Sequence, residues 1–173
     1  MKFDKYSIRP LEIEDYYQLV QTNRKRLEDF FAGTISKTST YKEAKKFVES
    51  MVNNSQENSY FPFLIIDSSS QRIIGFVGLY NIDRSIPKSE VGFFIDKEYT
   101  GRGISTGALQ VLSEYCFSEF KFKKLFLRIH QSNIASKTVA ERCGFELEGE
   151  IRREYKTSSG EIVDLLYYGK LNQ

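Results

Sequence analysis

Between Tyr60 and Ile95 the chain carries three short β-rich runs: 60–67, then 72–80, then Val91-Gly92-Phe93-Phe94-Ile95. The last leads within a few residues into Tyr99-Thr100-Gly101-Arg102-Gly103-Ile104-Ser105-Thr106. Turn clusters Asp67-Ser68-Ser69-Ser70 and Arg84-Ser85-Ile86-Pro87 separate the runs, which predicts an antiparallel meander. Behind the glycines, Ile104, Ala108, Val111, Leu112, Tyr115, Cys116 and Phe120 recur at helical spacing. The chain is thus expected to form a sheet that opens onto a helix N-terminus.

The flanking sequence completes the frame. A strand is predicted over 5–10, and Glu12-Ile13-Glu14-Asp15 opens a helix, acidic where a helix start favours acid, that runs to about Phe31. Ala44, Phe47, Val48, Met51 and Val52 mark a second helix ended by Asn53-Asn54-Ser55. Later come a strand over Leu125–Ile129, a helix over about 133–143 closed by Gly144, and strands over about 145–155 and 162–170 joined through Ser158-Ser159-Gly160. The order βααβββαβαββ describes an α+β fold, a mixed and largely antiparallel seven-stranded sheet with about four helices.

No Pro-, Gly- or Ser-rich linker divides the 173 residues, so residues 1–173 are expected to be a single domain. Lys and Arg total 25 against 23 for Asp and Glu, and the net charge of +2 is too small for a general nucleic-acid binder. Cys116 and Cys143 lie on apolar helix stripes and read as reduced core residues, with no metal expected. No eighteen apolar residues run together and no leader-like stretch follows Met1, so a soluble cytoplasmic protein is expected.

Gly101, Gly103 and Gly107 surround the strand-to-helix junction. A helix start there offers unpaired N–H groups and the positive end of its dipole, a combination that binds phosphate. Glycine lets the backbone approach closely, Arg102 adds charge, and Ser105 and Thr106 add hydroxyl donors. The same glycines also suit a merely tight connection. A P-loop is excluded because no Gly-Lys-Ser/Thr occurs, and the dinucleotide fingerprint fits badly with Thr106 where its third glycine belongs. A second constellation follows: Asn133, Ser136 and Ala140 share one helix face, before Cys143-Gly144-Phe145 ends that helix. Taken singly, Asn133 also reads as an N-cap and Ser136 as a surface hydroxyl.

These two constellations in this element order resemble the GNAT superfamily of acetyl-CoA-dependent N-acetyltransferases over nearly the whole chain. The family's pyrophosphate motif, Gln/Arg-x-x-Gly-x-Gly/Ala, is matched by Thr100-Gly101-Arg102-Gly103-Ile104-Ser105, with Thr100 and Ser105 departing from it. Asn23-Arg24-Lys25-Arg26-Leu27, Ser89 to Ile95, Asn133-Ile134-Ala135-Ser136, Gly144 to Gly149 and Gly160 to Tyr167 are most similar to the branch that acetylates ribosomal-protein N-termini.

The resemblance implies acetyl-CoA as co-substrate, held by residues 100–106, by backbone groups near Phe93, Phe94 and Ile95, and by Asn133. It also implies direct transfer in a ternary complex. Many GNAT enzymes protonate the leaving thiolate with a tyrosine, but Ala140 stands at that position. In the ribosomal branch a serine one turn earlier is the proposed acid, here Ser136, and the Asn-x-x-Ala-x-x-Leu-Tyr pattern of polyamine acetyltransferases is absent. Glu154 is the first candidate base, by a match that needs a one-residue gap, and Glu90 the second; either also reads as an exposed strand carboxylate. His130, the only histidine, is a tempting base or a plain strand-end residue. Arg24, Lys25 and Arg26 either guide an acidic protein or form a solvated face. The expected acceptor is a protein N-terminus and the expected assembly a homodimer. The alternatives are acetylation of a small amine (an antibiotic or a polyamine) and a catalytically silent acyl-CoA-binding module.

Overall fold

The computed structural model describes residues 1–11, 13–56 and 59–172, and the side chains of all of these but 13–15 and 56. Its strands are β1 (Lys2–Phe3), β2 (Tyr6–Pro10), β3 (Phe61–Asp67), β4 (Arg72–Asp83), β5 (Lys88–Ile95), β6 (Lys124–His130), β7 (Glu146–Lys156) and β8 (Ile162–Leu171). The helices are α1 (Ile13–Leu27), α2 (Ala32–Ser36), α3 (Tyr41–Gln56), α4 (Ile104–Ser118) and α5 (Ile134–Arg142), with a 3-10 turn over Lys97–Tyr99. One sheet runs in the order β1-β2-β3-β4-β5-β6-β8-β7.

The expected seven strands become eight because Lys2 and Phe3 pair with Ser7 and Tyr6. A two-residue strand has no periodicity to read. The expected four helices become five because α1 ends at Leu27, short of Phe31. There the N–H groups of Phe30 and Phe31 converge on the one Leu27 carbonyl, at 3.2 and 2.7 Å, and Ala32 N–H donates instead to the Tyr155 hydroxyl at 2.6 Å, so the chain leaves the helix and restarts as α2. The acidic opening expected over Glu12–Asp15 lies outside the described side chains.

Both sheet faces are covered. Tyr16, Leu19, Val20, Val48 and Met51 of α1 and α3 pack on Leu64, Ile66, Phe76 and Phe94. Ile104, Ala108, Leu109 and Leu112 of α4, with Ala140 of α5, pack on Val77, Leu79, Leu125 and Leu127. Burial on two faces is why β3 to β5 read as nearly continuous apolar runs rather than alternating ones. Each Val, Leu, Ile, Phe or Met among them contributes about 1.5–3 kcal/mol on leaving water. Cys116 and Cys143 are both buried and unpaired. Tyr115, expected on the apolar stripe, is instead exposed. Among the described residues no helix is long and apolar enough to cross a membrane.

The feature that positions the site lies mid-sheet. β5 stays antiparallel to β4 as far as Gly75↔Ile95, and β6 stays antiparallel to β8 from Lys124 to His130. β5 and β6 meet in parallel only over Lys88↔Lys124, Ser89↔Leu125 and Glu90↔Phe126. Each strand keeps its outer partner, so the two part after Glu90 and leave a wedge between residues 91–95 and 127–130.

Candidate active site

The wedge exposes one edge of β5. Asp96 N–H bonds the Ile74 carbonyl at 2.6 Å, and strand alternation then turns the backbone groups of Phe94 towards β4. Those of Phe93 and Ile95 face the open side, where Arg26 already donates to the Ile95 carbonyl at 3.3 Å. Phe94 contributes its ring, which packs edge-on to Phe31 with centroids 5.3 Å apart.

From the end of β5 the chain is tightly held. Buried Asn23 accepts from Lys97 N–H at 3.0 Å and donates to Asp96, whose other oxygen accepts from Glu98 N–H at 2.9 Å. The loop behind this anchor is built for an anion. Gly101 and Gly103 sit at φ of 75° and 74°, and Gly103 heads α4 with no side-chain cap. The N–H groups of residues 101–106 have no hydrogen-bond partner among the described residues. Thr100 and Arg102 turn away from them: the Thr100 hydroxyl donates to the Lys97 carbonyl at 2.9 Å, and Arg102 donates to the Glu98 carbonyl at 2.8 Å while stacking over Tyr99.

Phe93, Phe94, Ile95, the whole run Thr100, Gly101, Arg102, Gly103, Ile104, Ser105 and Thr106, and Asn133 all line one cavity of about 570 Å³. Arg26, Arg102 and Arg142 border it against the single carboxylate of Asp29. Open N–H donors, an arginine rim and an unpaired strand edge together fit an extended ligand carrying phosphate at one end and amides at the other. Arg26 and Arg142 were not legible as site residues, since nothing local ties either to the glycine turn.

A second cavity of about 320 Å³ lies on the other side of the wedge. The two share Asp29, Phe30, Phe31, Phe93, Asn133 and Ser136, which form the neck between them. At this neck Asn133 caps α5, its Oδ1 accepting from Ser136 N–H at 3.1 Å. Its amide nitrogen and the Ser136 hydroxyl carry no hydrogen bond among the described residues. Both therefore stand ready for a ligand.

The two candidate bases converge on a residue that sequence reading passed over. Arg128 Nε donates to Glu90 at 2.8 Å and a terminal nitrogen donates to Glu154 at 3.0 Å. Although burial works against its charge, the hydrogen bonds of the two glutamates and the charge of Glu90 raise the Arg128 pKa above its ordinary value. Glu90 is 3 % exposed, and its second oxygen accepts from Asn81 at 2.7 Å, so both its oxygens are taken. Glu154 keeps one oxygen without a partner among the described residues, but it does not itself line the second cavity. The signal that could have found Arg128 is a lone cation in the apolar strand Leu125-Phe126-Leu127-Arg128-Ile129.

His130 does line that cavity, yet its Nδ1 accepts from Ser132 N–H at 3.2 Å. The Ser132 hydroxyl stands 2.7 Å from the same nitrogen, so Nδ1 is engaged within its own loop and only Nε2 is without a partner among the described residues. Arg24 of the basic run is not a solvated residue, because it donates to the Ile35 carbonyl at 3.2 Å and ties α2 to α1. Cys116 is pushed up to about 12 by burial, and burial raises Cys143 too, so neither is a ready thiolate.

A family model described as an acetyltransferase (GNAT) domain matches residues 6–146. The putative ribosomal N-acetyltransferase YdaF of Bacillus subtilis is 31% identical over 168 residues, covering 96% of this chain and 89% of its own length. The spermidine N(1)-acetyltransferase of Escherichia coli is 23% identical over 150 residues, covering 86% of this chain and 76% of its own. The crystal structure of the ribosomal-protein-S5-alanine acetyltransferase of Vibrio fischeri superposes with a TM-score of 0.87 at 25% identity, covering 100% of this chain and 96% of that one.

Proposed function

The chain belongs to the GNAT acetyltransferase family, and from that premise we propose that it acetylates the N-terminal α-amine of a protein, a ribosomal protein foremost. The observation that carries this reading is the neck at Asn133 and Ser136, where a phosphate-receptive cavity meets a second cavity able to admit an acceptor. Likeness to YdaF supports the ribosomal acceptor, and such an acceptor places the reaction in the cytoplasm. The polyamine alternative calls for carboxylates that match several ammonium groups. Among the lining residues only Asp29 and Glu90 are acidic, Glu90 is already paired with Arg128, and Lys37 adds an opposing charge.

Acetyl-CoA, when bound, supplies the activated thioester. Residues 101–106 and Arg142 would hold its phosphates, and the free backbone groups of Phe93 together with the Ile95 N–H its amides. One of these β5 N–H groups would hold the thioester oxygen as charge builds, and Asn133 would orient the arm with its free amide nitrogen. A peptide α-amine has a pKa of about 7.7–8.0, against about 10.4 for lysine, and so needs only a modest base. Glu154, with its free oxygen, takes the amine proton through a water, because it stands outside the cavity lining. Ser136 would pass its proton to the departing sulfur and take one back from solvent water. No covalent acyl-enzyme is needed, as neither cysteine has a base beside it.

One continuous sheet serves both cavities, which supports a single domain over 1–173. The exposed Leu147 and Ile151 of β7 and Ile162 of β8 support pairing of two copies along that outer edge. Incubation of purified enzyme and labelled acetyl-CoA with ribosomal-protein N-terminal peptides, internal-lysine peptides, spermidine and aminoglycosides tests the reading. Label confined to peptide α-amines is expected; label on spermidine or an aminoglycoside alone would overturn it.

A further inference from the structure

The second cavity is more than an entrance for an amine. Its far side is walled by Phe47, Tyr60, Phe76 and Tyr80, reached past Phe31 and Phe93 at the neck. The rings brace one another: Phe76 stacks on Phe94 at 5.7 Å, Tyr60 on Tyr80 at 6.1 Å, and Tyr16 packs beneath Phe47 and Phe76. Close packing holds the space open in shape, and Gly92 makes room for Tyr80, whose hydroxyl would clash with a Cβ at position 92. Burial raises the pKa of both Tyr60 and Tyr80, so the wall stays uncharged. Of the charged lining residues, Glu90 is paired with Arg128 and Lys37 lies with its ammonium over the Phe47 ring at 5.1 Å, so the ring-lined part favours an apolar or aromatic group, while Asp29 at the neck suits an ammonium.

We propose that this cavity receives the side chain next to the reacting amine, and selects acceptors whose first residue is aromatic or long and apolar, such as Phe, Tyr, Leu or Met. A primary amine at the neck sits one carbon from its own side chain, which is thereby within reach of the ring-lined space. The inference rests on the α-amine reading for its biological source. The same chemistry could come from a free aromatic amino acid, and the test separates the two.

Peptides identical but for residue 1 are compared by kcat/KM, alongside free phenylalanine, phenethylamine and spermidine. Filling an apolar pocket by one methylene is worth about 10–200-fold, so Phe-, Tyr-, Leu- or Met-initiated peptides are expected to exceed Ala- or Ser-initiated ones by at least tenfold. Equal or faster acetylation of the Ala and Ser peptides overturns the pocket assignment and leaves the protein N-terminus reading standing. Turnover of phenylalanine or phenethylamine with no peptide turnover upholds the pocket and overturns the protein acceptor. Turnover of spermidine alone overturns both. Phe47→Ala enlarges the wall from a half-buried position, and is expected to raise the ratio of Trp-initiated to Phe-initiated turnover at least fivefold; an unchanged ratio in a variant that still binds acetyl-CoA overturns the assignment.

Discussion

At the scale of single residues, Arg128 organises the acceptor side of the wedge by bridging Glu90 and Glu154 at 2.8 and 3.0 Å. Replacing it strands a carboxylate that is only 3 % exposed. Arg128→Met is expected to cost about 2–3 kcal/mol in urea unfolding, somewhat under the range for fully buried pairs because Arg128 is 24 % exposed. Adding Glu90→Gln should restore part of that loss; a double variant weaker than the single one would count against the pairing as its cause. Ser136→Ala should lower kcat about 100-fold when chemistry limits the rate, at unchanged acetyl-CoA affinity, the lower end of what general acids supply. Near-normal turnover would remove Ser136 from the acid role. Glu154→Gln should abolish the acidic limb of the kcat/KM pH profile, and an unchanged limb would remove Glu154 as base.

Single elements matter most at α4, where two glycines serve different ends. An added Cβ at Gly103 meets nothing within 4 Å, but φ there is 74°. Gly103→Ala should therefore cost only about 1–2 kcal/mol of backbone strain, while weakening CoA binding tenfold or more, since the space belongs to the ligand. Gly107 has ordinary φ, yet its Cβ would stand 2.6 Å from the Phe3 ring. Gly107→Ala should cost about 1–3 kcal/mol by overpacking β1 against the helix and leave CoA affinity within about threefold. Calorimetry of CoA binding beside thermal unfolding separates the two, and equal effects on both readouts would merge the roles assigned here. The glycine turn was legible because positive φ and an uncapped helix start are local demands on sequence. That Gly107 serves β1 was not, because Phe3 is distant along the chain.

Over the whole molecule, burial raises Tyr16, Tyr60 and Tyr80 above their ordinary range and pushes Cys116 up to about 12. Unfolding lets these groups ionise near 10 and 8.5, so above about pH 9 the unfolded chain holds fewer protons than the folded one and stability falls as pH rises. Tm should drop steeply from pH 9 to 11, and Tyr16→Phe should flatten that slope; a flat wild-type profile would contradict the buried phenols. Tyr16→Phe should also be close to neutral at pH 7, because the Tyr16 hydroxyl lies near Thr34 without a hydrogen-bond partner among the described residues. By itself the sequence determined what depends on neighbours along the chain: strand runs, amphipathic helices, the glycine turn and the Asn133-x-x-Ser136 spacing. Tertiary structure alone decided the parting of β5 from β6, the union of Glu90 and Glu154 on Arg128, and the ring-lined cavity. Each arises where strands remote in sequence choose partners and register, and no local periodicity records that choice.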